Sequence, residues 1–422
     1  MIRTTSLPNG IRVVTDSESH FESVTLGVWV GVGSRFETPE QNGYSHFLEH
    51  MCFKGTLTRD MHQITGPIES AGGKMNAWTN IAETAYHAKV LKSDVPMALD
   101  IIADMVQHAV LPPGELEKEK GVIIQEINMY NDRPDIVAEE LFMACAYPNQ
   151  PLGRPIIGPA ENIRNATADG LRAYMRANYA SAQMVVSAAG AVDHDAFAAD
   201  CARLFRDYPA NPLVKPAPAR YAGGDRRQNK DIEQLRINLG FAGVSYTDDD
   251  YYAAQVLACI LGQGFTSRLF REIREKRGLV YSIRAHMQPE TDTGLFYVEA
   301  GTGAKHIAEL LPVLCDEIVR LPGTITDEEI ARTKTLVKAE WLMSRESTAA
   351  RADKCASDLL IYGRVVPTEE RLKKLESVSA ADLKRAGAKI FSGTPTLAAY
   401  GPVQHVMEYD ELCRRLNTKK DF

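Results

Sequence analysis

The chain has 422 residues, 45% of them hydrophobic and 24% charged, and its 55 acidic and 48 basic side chains leave a net charge of −7. That length supports two or three domains, each with a core of its own. The acidic balance argues against a nucleic-acid partner, and no apolar run approaches the ~18 residues of a membrane span, so no membrane partner is expected.

Met1 to Gly10 lacks the apolar core of a signal peptide and leads through Asn9-Gly10 into a strand at Ile11 to Val14. Val24 to Val32 alternates apolar residues with Thr25, Gly27, Trp29 and Gly31, predicting a strand, and a helix follows from about Asn42. Lys74–Thr79 and Thr84–Leu91 predict a hairpin around Asn80. Pro209, Pro212, Pro216 and Pro218, then Gly223-Gly224 and the polar run Asp225 to Lys230, predict a linker.

Beyond it the pattern returns, displaced by about 212–214 residues. Leu235 to Val244 predicts a strand, Asp248 to Asp250 a turn, and Tyr251 to Leu261 an apolar helix. The predicted fold class is α+β, with two homologous domains, each a largely antiparallel sheet with helices packed on one face. Residues 1–208 form the first, 209–231 the linker and 232–422 the second. Seven scattered cysteines with no CxxC pair suit a reducing compartment. A cytoplasmic protein is expected, with a processed mitochondrial matrix protein as the alternative.

The sharpest local feature is His46-Phe47-Leu48-Glu49-His50. On a helix His46 and His50 share a face one turn apart, with Glu49 beside them. Two such imidazoles can share one tetrahedral Zn²⁺ and leave a carboxylate beside a water. A helix with its histidines merely on a polar face, burying Phe47, Leu48 and Met51, is the plainer alternative. A third ligand is sought in Gly114 to Glu126, where Glu119 and Glu126 are two helical turns apart with Val122 and Ile123 between them on one stripe. Carboxylates interleaved with apolar residues tend to point inward and need a positive partner, which a metal supplies. Taken alone, Glu126 fits an ordinary solvated helix face at least as well.

His46-x-x-Glu49-His50 is the inverted zincin order. With Glu126 downstream, the chain resembles the pitrilysin-type metallopeptidases, in particular the half-length branch of the mitochondrial processing peptidase β-subunit and its bacterial relatives. The resemblance spans essentially the whole chain. It includes Gly33 to Glu37, His50 to Thr56, Gly72 to Ala77, Ser267 to Phe270 and Arg274 to Tyr281.

The resemblance implies a zinc-dependent endopeptidase holding one Zn²⁺ per chain through His46, His50 and Glu126. Glu49 is implied as the general base that takes a proton from the attacking water, and Glu119 as the carboxylate that steadies the ligands. It further implies that the Lys74–Thr79 strand accepts the peptide substrate as an added strand at Asn76 and Ala77. Arg274 and Tyr281 are implied as a pair gripping substrate carbonyls. The second half has Ile260, Gln263 and Gly264 where the first has His46, Glu49 and His50, so no second metal site is expected; Glu340 answers to Glu126. Half-length members of the family enclose a chamber with paired subunits. A homodimer is therefore expected, with a heterodimer with a homologous subunit as the alternative. The competing functional reading is a non-catalytic or partner-dependent subunit of a processing-peptidase or respiratory-complex-type assembly. The intact set His46, Glu49, His50, Glu119 and Glu126 weighs against it.

Overall fold

The computed structural model describes residues 1–417, and among these the strands form two sheets. In the first, β1 (Ile2–Ser6), β2 (Arg12–Ser17), β3 (Ser23–Val30), β4 (Lys74–Thr79), β5 (Thr84–Leu91) and β6 (Met184–Gly190) run in the order β1-β2-β6-β3-β5-β4. The second contains β7 (Gly224–Asn229), β8 (Gln234–Ala242), β9 (Ser282–Pro289), β10 (Gly294–Gly303) and β11 (Thr396–Gly401), in the order β7-β11-β8-β10-β9. Apart from β1 the two orders correspond strand for strand. Each sheet is antiparallel except for one pair, β2 with β6 and β7 with β11.

The hairpin expected at Asn80 is present. Its side-chain Oδ1 accepts the backbone N–H groups of Ala82 and Glu83 at 2.7 and 2.6 Å, closing the turn locally. β4 lies at the end of its sheet, so one side of its backbone has no neighbouring strand.

The compact units cut across the division into chain halves. One comprises Met1–Asn128, Arg154–Ala217 and Leu342–Val366; the other comprises Met129–Gly153, Pro218–Trp341 and the chain from Pro367. Thus the helix Thr348–Tyr362 packs on β2, β3 and β6, while the helix Pro134–Ala146 packs on β7, β8 and β11. The cause lies on the face of the first sheet that carries Thr25 and Trp29. Trp29 is only 2% exposed, and its indole N–H donates to Asp353 at 3.0 Å. Thr25 and Thr348 share a hydroxyl hydrogen bond at 2.8 Å, and Ser187 donates to the Ala352 carbonyl at 2.8 Å. Val14, Trp29, Ala85 and Val185 close an apolar cluster with Ala352, Cys355, Ala356 and Leu359. The other face, one residue out of phase, receives the helix Val95–His108 on β3 and β5 and the helix His194–Leu204 on β2, where His194 meets the Thr15 hydroxyl at 2.9 Å. β3 and β6 are therefore buried on both faces.

The linker is also shorter than expected. Gly224–Asn229, read as a solvated polar run, is the edge strand β7. An edge strand tolerates polar residues, and Arg227 anchors this one through the carbonyls of Val406 and Met407 at 3.1 and 2.7 Å.

Candidate metal centre

The helix Tyr44–Cys52 carries the histidine motif and is fixed from its N-terminus. The buried Glu37 carboxylate accepts the backbone N–H groups of Gly43 and Ser45 at 2.9 and 2.7 Å and the Asn42 side-chain amide at 3.0 Å. An anion there suits the positive end of the helix. Gly43 enters with φ +102, and a β-carbon on it would stand 2.6 Å from the Ile157 carbonyl oxygen. Phe47, Leu48, Met51 and Cys52 are fully buried, which turns His46, Glu49 and His50 toward the other side.

Glu119 and Glu126 come from the helix Pro113–Asn131. Its inward stripe runs Leu116, Glu119, Ile123 and Glu126, with Ile123 fully buried. Val122, expected on the same stripe, is instead 47% exposed. At about 100° per residue, Val122 stands about 80° round the helix from the middle of that stripe, whereas Ile123 lies within it.

The metal-binding atoms of His46, His50 and Glu126 all lie within 4.8 Å of one another. Both imidazole Nε2 atoms face the same Glu126 oxygen, at 3.7 Å from His46 and 3.9 Å from His50. His50 Nδ1 meets Glu119 at 3.0 Å, which fixes its N–H on that side and leaves the Nε2 lone pair toward the cluster. Lys54 pairs with the other Glu119 oxygen. Burial alone would raise the Glu119 carboxyl, but the hydrogen bonds from Lys54 and His50 prevail and hold it below the usual carboxylate range. Burial, with the neighbouring His50, pulls His46 down to about 4, so its imidazole stays neutral. Burial pushes the Glu49 carboxyl up, against a hydrogen bond donated by the Thr79 hydroxyl to Oε2 at 2.7 Å.

These residues fit zinc. Ligand atoms around a tetrahedral Zn²⁺ stand roughly 3.4 Å apart, and two neutral imidazoles with one carboxylate form a usual catalytic donor set with a position left open. His46 Nδ1 is buried without a hydrogen-bond partner, so no hydrogen bond on that side fixes the ring's orientation. A bond at its Nε2 would.

Asn76 is exposed on β4, and its Oδ1 accepts the N–H of Ala77 at 3.0 Å; Ala77 itself is 8% exposed. In the second unit Arg274 lies exposed in the π-helical turn Phe270–Glu275, its guanidinium 4.9 Å from the Phe270 ring centre. Tyr281 is 66% exposed just before β9. Ile260 is buried, and His46, His50 and Glu126 form the one candidate metal cluster among the described residues. The site also uses two residues that the motif reading passed over. Lys54 stood in the run after His50, and Thr79 is two residues beyond Ala77, hence on the same face of β4.

The family model described as Insulinase (Peptidase family M16) matches residues 12–160, and that described as Peptidase M16 inactive domain matches residues 165–337. The chain belongs to peptidase family M16. It is a zinc metallopeptidase. A zinc protease of Rickettsia felis is 36% identical to this M16 peptidase over 94% of its length and 96% of the relative's. The zinc protease YmxG of Bacillus subtilis is 35% identical, covering 95% and 98%. A probable mitochondrial-processing peptidase subunit beta of Arabidopsis thaliana is 34% identical, covering 98% and 81%. The crystal structure of a protease from Helicobacter pylori superposes with a TM-score of 0.89 at 22% identity, covering 95% and 99%, and shares the fold.

Proposed function

We propose that this M16 peptidase is an endopeptidase that hydrolyses extended or unfolded peptides inside a chamber formed by paired subunits, with one Zn²⁺ per chain and Glu49 as general base. The convergence of His46, His50 and Glu126 beside Glu49 carries the reading. Zn²⁺ bound there supplies a Lewis acid that acidifies water and polarises a peptide carbonyl. Glu49 takes a proton from the attacking water and passes it to the leaving amine. The Thr79 hydroxyl holds one Glu49 oxygen, leaving the other for that proton. Glu119 holds His50 in the tautomer whose Nε2 is a ligand.

The free side of β4 suits an extended peptide. Because the Ala77 N–H is met by its neighbour's side chain, it points off the sheet rather than into the ladder with β5. A peptide added there would bond through its main chain and be accepted with many sequences. Glu49→Gln is expected to retain zinc and to lose cleavage of a quenched fluorescent peptide by about 10²–10⁴-fold. A parental rate in that variant would show that Glu49 is not the base.

One chain carries both the metal residues and Arg274 and Tyr281, so two copies would supply every group of a composite site, and a homodimer is the assembly proposed. Mixing Glu49→Gln with Arg274→Ala chains is then expected to restore part of the activity through mixed dimers. No recovery, with subunit exchange verified, would count against the homodimer and favour a homologous partner subunit. The seven cysteines are unpaired, which accords with a reducing, cytoplasmic setting.

A further inference from the structure

We infer that Lys54 is a positioning residue for the metal centre: it holds Glu119 so that Glu119 in turn holds His50. The inference rests on the reading of His46, His50 and Glu126 as zinc ligands.

Glu119 has two oxygens with two different tasks. Oε2 meets His50 Nδ1 at 3.0 Å, and Oε1 pairs with the Lys54 ammonium. The carboxylate is thereby clamped at both ends and cannot turn without breaking one contact. Both partners are largely withdrawn from water, with Glu119 9% and Lys54 18% exposed at the side chain. This distinguishes the pair from Lys118 with Glu115 on the same helix, where the lysine is 72% exposed and such a contact adds little.

A flexible lysine can position a carboxylate only if its own backbone is fixed, and here it is. The Lys54 N–H donates to the Met51 carbonyl at 3.1 Å, tying it to the last turn of the motif helix. On its other side Gly55 takes φ +134, and its carbonyl accepts the Val110 N–H at 3.1 Å. Thr56 donates to Asp104 at 2.6 Å and accepts the Arg59 N–H at 2.9 Å, while Arg59 itself donates to Asp104 at 2.6 Å. Asp104 is 7% exposed on the helix Val95–His108, so the loop is pinned to the interior of the unit. A chain of contacts therefore runs from Asp104 through the loop to Lys54, Glu119 and His50. It sets a ligand's orientation from a residue that touches neither metal nor substrate.

The test is zinc affinity of the full-length protein, measured by competition with a chromogenic chelator. Lys54→Met is expected to weaken zinc binding by about 10–100-fold, the usual effect of removing a group that supports a ligand. Lys54→Arg, which keeps the charge and the reach, is expected to recover most of the loss. In a Glu119→Gln background Lys54→Met is expected to cost nothing further, because Lys54 acts only through that carboxylate. Parental affinity in Lys54→Met, or an undiminished loss in the Glu119→Gln background, overturns the assignment. Failure of the parent protein to take up zinc overturns the metal reading itself, and the two failures are thus told apart.

Discussion

The two halves of the chain build corresponding sheets, β2-β6-β3-β5-β4 and β7-β11-β8-β10-β9, and differ at one helix. In the first half the motif helix runs from Tyr44 to Cys52 and so carries Glu49 and His50 within it. Its counterpart runs from Tyr251 to Gly262 and stops before Gln263, which is extended, and Gly264, which has φ +79. Ile260, in the place of His46, is 1% exposed in the core. The topology is written redundantly, in many apolar positions, and survives in both halves. The candidate metal centre needs three side chains and a helix that continues far enough along the chain to present two of them, and among the described residues such a cluster is found in one half.

The contrast breaks most sharply at the paired glutamates. Glu126→Gln is expected to lower kcat/KM by on the order of 10³-fold or more, with loss of zinc on chelator challenge. Glu340→Gln, at the matching position, is expected to leave both unchanged. Equal effects from the two variants would abolish the distinction between the halves.

Where the halves agree, they should fail alike. Trp29 lies under the helix Thr348–Tyr362, and Phe142 on the helix Pro134–Ala146 is fully buried, 5.1 Å from Tyr297 between ring centres. Trp29→Ala and Phe142→Ala are each expected to cost about 3–5 kcal/mol in urea unfolding. A cost below ~1 kcal/mol for either would mean that its helix adds little to that sheet.

A smaller effect sharpens the catalytic side. Thr79→Val removes the hydrogen bond to Glu49 and keeps the shape of the strand. A hydrogen bond to a charged group contributes about 1.5–3 kcal/mol, so kcat is expected to fall by roughly 10–100-fold. Zinc content should stay parental and KM should move little. A fall confined to KM would place Thr79 on the substrate rather than on the base.

The smallest concerns two matching helices with different starts. Ala380–Phe391 begins with a reciprocal Ser379–Asp382 box, whereas Ala168–Asn178 begins with Thr167 alone, bonded to the Gly170 N–H. The bonds from Ser379 hold the Asp382 carboxyl down at about 2. A carboxyl lowered on folding stabilises the protein above its unfolded value, and that contribution fades as pH falls toward 2. Ser379→Ala is expected to cost about 1 kcal/mol at neutral pH and less at pH ~3. Thr167→Ala, with no acid in its box, should cost the same at both.

Much of this was legible along the chain because it is local. The hairpin at Asn80 follows from its residues, and the motif helix follows from the spacing of Phe47, Leu48 and Met51 against His46 and His50. Glu126 was harder to read, since its helix offers both Val122 and Ile123 as neighbours and only packing decides which of them turns inward.

By itself the sequence determined the repeat, the two α+β halves and the pairing of His46 and His50 with Glu49, since these rest on periodicity and on spacing within about one helical turn; Glu126 was named through the family resemblance, not through spacing. The tertiary structure alone decided which helix covers which sheet. It also placed Thr79 on Glu49 and Lys54 on Glu119. The reason is that a strand face or a carboxylate needs a partner of the right chemistry but does not specify where along the chain it comes from. Thr25 and Trp29 find theirs more than 300 residues away, a choice made by closing the chain in space.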